Sequence, residues 1–102
     1  NMEIVHVSPN EYRKWLRRVG PQDIAAIARR LDLLSEYGLE VGLPNVRRIN
    51  ELISELRIPS GLRLYFAVDD DLAVFVKYGN KDTQSQDIAT ATSRAKDLHN
   101  DH

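Results

Sequence analysis

The hydrophobic period of this chain changes twice within 102 residues, and nothing else in it limits the fold as much. Between Ser8 and Tyr37 apolar residues recur every three or four positions. Tyr12, Trp15, Leu16 and Val19 form one stripe, and Ile24, Ile27, Ala28, Leu31 and Leu34 another. Such stripes mark helices with one buried face. From Leu52 to Lys77 the period drops to two, which marks strands of a sheet with one face in a core. After Thr83 helical spacing returns through Ile88, Ala91, Thr92, Ala95 and Leu98. A chain this short supports one core, so the helices must pack on the sheet.

Local signals set the boundaries. Glu3-Ile4-Val5-His6-Val7 is short and β-branched, as a first strand should be. Ser8-Pro9-Asn10-Glu11 has the form of a capping box with proline at the first helical position. Gly20-Pro21 breaks that helix, and a second runs over 22–37 to Gly38, which suits the position just past a helix end. Residues 39–48 are expected as a loop carrying Arg47 and Arg48. In the next strand Leu52, Leu56 and Ile58 share one side, and Glu51, Ile53, Glu55 and Arg57 the other. After the Pro59-Ser60-Gly61 turn, Leu62, Leu64, Phe66 and Val68 alternate with Arg63, Tyr65 and Ala67. Asp69-Asp70-Asp71 reads as a hairpin loop. Leu72, Val74 and Val76 then alternate with Ala73, Phe75 and Lys77. Thr83-Gln84-Ser85-Gln86 is a second capping-box pattern, opening the last helix. The predicted order is β-α-α-β-β-β-α: one α+β domain, an antiparallel sheet covered on one face by helices. Asn1, ahead of Met2, reads as a cloning remnant, so the domain is expected over 2–102.

Composition enters where chemistry is concerned. With no cysteine there is no disulfide framework, thiolate metal site or cysteine nucleophile. His6, His99 and His102 lack metal-ligand spacing, and no glycine-rich phosphate loop occurs, so no metal or cofactor is expected. Apolar runs fall far short of the ~20 residues of a membrane span, and no basic-then-apolar leader precedes them; a cytoplasmic location without membrane contact is expected. Fourteen Lys and Arg against fifteen Asp and Glu give a net charge of −1, which offers no global attraction to nucleic acid.

If helices cover only the Leu52/Leu56, Leu64/Phe66 and Val74/Val76 side, the other side presents Arg57, Arg63, Tyr65, Phe75 and Lys77, with Lys81 just beyond. Cations around aromatic rings suit RNA, since guanidinium and ammonium groups pair with phosphates while bases stack on rings. The same arginines equally suit cross-strand pairs with Glu51, Glu55 or the Asp69–Asp71 loop. Arg13, Lys14, Arg17 and Arg18 read as a solvated helix face or as a phosphate-contacting arm. His99 and His102 sit in a charged terminus that frays or supplies a base.

Two strings carry a family resemblance. Glu55-Leu56-Arg57-Ile58-Pro59-Ser60-Gly61-Leu62-Arg63-Leu64-Tyr65-Phe66 resembles the strand–turn–strand of RelE/ParE-type toxins. Tyr78-Gly79-Asn80-Lys81-Asp82-Thr83-Gln84, followed by Asp87-Ile88 and Ala91, is similar to the ending of the addiction-module killer branch, near the HigB and phage-derived toxins. With the Trp15-Leu16 and Ala28-Arg29-Arg30-Leu31 helices, the likeness covers nearly the whole chain. It implies a RelE-like fold and the toxin of a bacterial type II toxin–antitoxin pair. It further implies a ribosome-dependent, metal-independent mRNA endoribonuclease; a gyrase-binding toxin of the ParE kind, or a non-catalytic member that only binds its antitoxin, is the alternative. Implied partners are a small helix-turn-helix antitoxin, the ribosome and mRNA, with operator DNA reached only through the antitoxin.

Carried onto this sequence, the resemblance places catalytic roles on Arg57, Arg63 and Lys81. RNA contacts are expected from Arg47, Arg48, Tyr65 and Lys77. The RNA's own 2′-hydroxyl attacks the adjacent phosphate, so the protein must orient it, move protons and stabilise charge on the phosphorane. Guanidinium forks suit the last task. Glu55 stands where the best-known ribonuclease members carry lysine, and Asp87 where they carry a catalytic tyrosine. Glu55, His99 and His102 are therefore the candidates for the general base.

Overall fold

One edge of the sheet is built from the two ends of the chain. In the computed structural model, which describes residues 1–42 and 44–100, β1 (Glu3–His6) pairs in parallel with β5 (Leu72–Asn80), with Val5 opposite Val74. β2 (Val46–Arg48), β3 (Ser54–Arg57) and β4 (Leu62–Asp69) complete an antiparallel meander, giving the order β1-β5-β4-β3-β2. The helices α1 (Pro9–Leu16) and α2 (Pro21–Tyr37) form the crossover from the first edge to the opposite one. α2 is tied to β1 where Met2 N–H donates to the Ser35 carbonyl at 2.7 Å and Ser35 Oγ donates to the Met2 carbonyl at 2.8 Å.

The cap of α1 forms as expected: Ser8 Oγ accepts from Glu11 N–H at 3.2 Å. The Glu11 carboxylate does not complete a box; it instead accepts from Arg94 Nη1 at 2.8 Å, bridging to α3 (Gln84–Asn100). Two pieces of the expected 39–48 loop are regular structure. Gly38–Val41 is one 3-10 turn, and Val46–Arg48 is the fifth strand, too short for its periodicity to register. The β4–β5 loop is two residues, Asp70 and Asp71, since Asp69 pairs with Leu72; Asp70 takes φ +53°.

The helices do not all lie on one face. Trp15, Ile27 and Leu34 from α1 and α2 pack with Leu56, Ile58, Leu64, Phe66, Phe75 and Tyr78. On the opposite face α3 packs Ala91 and Ala95 over Ile53, Tyr65 and Val76. The alanines let the helix approach the sheet closely, and a stripe of such small residues looks weakly amphipathic in sequence. Strand alternation also fails at one point. Tyr65 is opposite Lys77 while Phe66 is opposite Phe75, so Val76 is the extra residue of a β-bulge. Phe75 therefore joins Tyr78 on the α1–α2 side, and the expected exposure of Phe75 is corrected: it is fully buried.

Candidate nucleic-acid interface

Two cross-strand rows define the α3-facing side of the sheet. In the first, Arg47 of β2 is opposite Glu55 of β3, Glu55 opposite Tyr65 of β4, and Tyr65 opposite Lys77 of β5. In the second, Arg57 is opposite Arg63, and Arg63 opposite Gly79. Like charges directly opposite each other are unfavourable in a sheet. Glu55 offsets that repulsion: its Oε1 lies 3.7 Å from Nε of both Arg57 and Arg63. Its Oε2 accepts from Gln84 Nε2, on the first residue of α3, at 2.9 Å. The Glu55 side chain is fully buried, Arg63 is nearly so, and Arg57 keeps 34 % of its side chain exposed.

Arg63 does not point outward, as alternation alone suggested. Its Nη1 donates to the carbonyls of Leu62 at 3.0 Å and Ile58 at 3.3 Å, locking it against the β3–β4 turn. Lys81 reaches the same turn. Its backbone N–H donates to the Gly61 carbonyl at 2.8 Å, and its stem crosses Gly61, where an added Cβ would lie 3.4 Å from Lys81 Cδ. Gly61 has φ +114°, which only glycine adopts without strain. The structure thus brings Arg57, Arg63 and Lys81 to one end of the sheet, with only the first and last presenting charge to solvent.

Tyr65 is fully buried beneath α3, so its ring cannot serve as a stacking platform for bases. Burial, followed by the charges of Glu55 and Asp87, pushes its hydroxyl pKa well above the usual tyrosine value, with Arg63 opposing. Arg48 is also occupied: its Nε donates to the Asn50 carbonyl at 2.5 Å and Nη2 to that of Glu51 at 2.9 Å, clipping the β2–β3 loop. Arg47 is exposed. Lys77 lines a cleft of about 450 Å³ on the β5 edge with Trp15, Arg18 and Asp87, apart from the arginines. His99 lies beside the β4–β5 hairpin end, lining a groove with Val68 and Asp69. Six residues of strand separate Asp69 from Arg63, about 20 Å at ~3.3 Å each, so His99 is removed from the arginine cluster. His102 lies outside the described residues. Of the two base candidates among the described residues, Glu55 is the one placed beside Arg57 and Arg63.

Reading the sequence alone missed Gln84 and the structural role of Asp87. Thr83 Oγ1 donates to Asp87 Oδ2 at 2.5 Å, in place of the expected capping box with Gln86. Asn80 Oδ1 supports the turn by accepting from the N–H groups of Asp82 and Thr83 at 2.8 and 3.1 Å. Asp87 packs so closely on Gly79 that a Cβ there would lie 1.8 Å from Oδ2. The signal available in sequence was the Gly79–Asp87 pairing of a small residue with an acid across a turn; it has meaning only once α3 is known to fold back on β5. Among the described residues no three His, Asp or Glu side chains come together as a metal site, and no helix is long and apolar enough to cross a membrane.

Comparison with known proteins places this geometry in a family. No curated protein sequence matches the chain. Among solved structures it aligns with a chain of the YoeB–YefM complex from Staphylococcus aureus at TM-score 0.58 and 19 % identity, over 76 % of this chain and 94 % of that one. A heterotetrameric YoeB–YefM toxin–antitoxin complex from the same organism gives 0.56 and 20 %, over 74 % and 92 %. YafQ from E. coli gives 0.47 and 13 %, over 82 % and 98 %. The YoeB–YefM likeness shows a shared α+β fold. Residues 14–96, which hold all three helices in part or whole and the arginine-bearing strands, match the family described as phage-derived Gp49-like proteins, and the chain belongs to that family.

Proposed function

We propose that this protein is the toxin of a type II toxin–antitoxin pair and acts as an mRNA endoribonuclease on the ribosome, in the cytoplasm, until a cognate antitoxin binds it. The observation that carries the reading is the Arg57–Glu55–Arg63 cluster, with Lys81 beside it, at one end of the neighbouring strands β3 and β4. The fold shared with YoeB, described in a toxin–antitoxin complex, and the Gp49-like family support it.

In this mechanism the substrate supplies its own nucleophile: the 2′-oxygen bonds to phosphorus, the P–O5′ bond breaks to leave a 2′,3′-cyclic phosphate, and the departing 5′-oxygen takes a proton from Lys81. Arg57 and Lys81 contact the phosphate and offset the negative charge that grows on its oxygens, each worth about 3 kcal/mol in a preorganised site. Arg63 is a positioning residue: with its Nη1 on two carbonyls, it holds Glu55, and Glu55 in turn aims Arg57. Glu55, fully buried and holding Gln84 Nε2 on its Oε2, takes the proton of the 2′-hydroxyl when the Gln84 contact opens. Arg47, exposed one strand away in the same row, contacts a neighbouring phosphate.

The test is induction of the chain in bacteria, with transcript ends mapped, beside an Arg57→Ala control. Growth arrest with new mRNA ends, lost in the control, is expected. Arrest with intact transcripts, or no arrest, overturns the reading. The full burial of Glu55 favours one second reading, a toxin of this fold that acts by binding alone; lost supercoiling in a gyrase assay with intact transcripts would select it.

A further inference from the structure

At the end of the sheet where the β3–β4 turn emerges, α2 contributes a third arginine. A cleft of about 290 Å³ is lined by Arg30, Arg57 and Arg63, with Pro44, Asn45, Ile58 and Pro59 completing its walls. Arg30 makes no hydrogen bond or ion pair with any other described residue, and its Nε is buried without an acceptor. Three arginines therefore line one small cleft, and among the described residues Glu55 is the single carboxylate within ion-pair distance of any of them. A buried N–H donor without an acceptor is destabilising, and the excess positive charge adds to that cost. Both are relieved by one kind of ligand: an anion whose oxygens accept from several forks at once.

We propose that Arg30 and Arg57 form an oxyanion-binding cleft backed by the buried Arg63, and that Arg30 takes a backbone phosphate of RNA next to the one at which cleavage occurs. The identity of the nucleic acid rests on the function proposed above; the anion site itself rests on the arginines. A phosphodiester fits this cleft better than a side-chain carboxylate. It offers two free oxygens to forks arriving from separate elements, α2 on one wall and β3–β4 on the other. The prolines and Ile58 give the cleft apolar walls against which a ribose can lie. Arg30 is a binding residue, and its distance from the Glu55 carboxylate leaves it outside the proton transfers.

Two probes test the cleft on the intact chain. Inorganic phosphate is titrated while the Arg Nε–Hε resonances are followed by NMR, with Arg30→Gln assigning the Arg30 signal. A short 2′-O-methyl RNA, which cannot be cleaved, is titrated by fluorescence anisotropy at several salt concentrations. The Arg30 Nε–Hε signal should shift with phosphate. Arg30→Gln should weaken RNA binding about tenfold and reduce the magnitude of the log–log salt slope by about 0.7, the loss of one phosphate contact on a single strand. Its thermal midpoint should equal or exceed that of the parent, because Arg30 has no partner among the described residues and its buried Nε has no acceptor. An unshifted Arg30 signal, no RNA binding by the parent, or an unchanged affinity and slope in the variant overturns the proposal. A glutamate-rich peptide that shifts Arg30 where the RNA does not also overturns it in favour of a peptide carboxylate. Failure of the parent function separates cleanly: intact transcripts in cells, with the Arg30→Gln binding defect retained, reject cleavage and leave the cleft standing.

Discussion

Glu55 Oε1 stands 3.7 Å from Nε of both Arg57 and Arg63, so one buried carboxylate serves two arginines that face each other across the β3–β4 pair. Replacing it with Glu55→Gln removes the counter-charge and leaves the arginines opposed. Loss of one member of a buried ion pair is strongly destabilising, here about 3 kcal/mol. Urea denaturation should show the midpoint falling with an unchanged slope. A variant as stable as the parent would mean that solvent already screens the pair.

Arg57 and Arg63 should separate experimentally although they share a partner. Arg57→Ala removes a part-exposed group and should abolish toxicity, or cut cleavage about a hundredfold, with little change in stability. Arg63→Ala also removes a second donor from the Ile58 and Leu62 carbonyls, which keep their backbone partners, and should cost a further ~1 kcal/mol. Parallel thermal melts and growth assays of the two variants check this. Equal stability losses would contradict the assignment of Arg63 to a positioning role.

Gly79→Ala should loosen α3. The new Cβ would lie 1.8 Å from Asp87 Oδ2 and 2.9 Å from Thr83 Oγ1, so the first turn of the helix must move. Overpacking of this kind costs about 1–3 kcal/mol. Because that turn carries Gln84, amide exchange should quicken at Tyr65 and Glu55, which α3 covers. Gly79→Ala combined with Asp87→Ala should recover part of the loss, since the clash is with the Asp87 carboxylate.

His6 gives a pH signature in the acid range. Burial lowers its pKa below 6.5, and the ring stacks on Tyr12 at 3.9 Å while Nδ1 and the Tyr78 hydroxyl are 2.6 Å apart. A histidine buried neutral binds fewer protons folded than unfolded. Its contribution is therefore complete above 6.5 and is lost as pH falls through the window between 6.5 and the lower folded value. Denaturation at pH 7.5 and 5.5 should show a stability loss that His6→Asn reduces. An equal loss in the variant would assign the effect to carboxylates elsewhere.

Alkaline pH should act through Tyr65 and Tyr78, both raised by burial above the ordinary value of 10. Folding holds both protons on, so stability is full below pH 10 and falls as pH rises beyond it. Tyr65→Phe should flatten part of that fall, as followed by far-ultraviolet circular dichroism from pH 9 to 11.

Much of this could be read from local chemistry. The Ser8 cap, the glycine-terminated α2, the Asp69–Asp71 hairpin and the alternation through β4 each depend on neighbours within a few residues. The family strings lay in the same contiguous stretches. The exposure of the site residues was a different matter. Tyr65 and Phe75 both appeared to belong to an open face; Tyr65 is roofed by α3, and Phe75 is turned to the other core by the bulge at Val76. A single extra residue reverses every later side chain on a strand, and period counting cannot see it.

Sequence alone determined the helices, every strand but β2, their order, one α+β domain and the two arginines on neighbouring strands, because hydrophobic period and capping act over a turn or a strand. Tertiary structure alone decided which charges remain usable. Arg48 is consumed by the Asn50 and Glu51 carbonyls, Arg63 by those of Ile58 and Leu62, and Glu55 is sealed by Gln84 from 29 residues away. Arg30 reaches the cleft with Arg57 and Arg63 only because α2 crosses the sheet. Whether a charge binds a ligand or holds the fold depends on what lies within hydrogen-bond reach in three dimensions, and sequence separation does not report that distance.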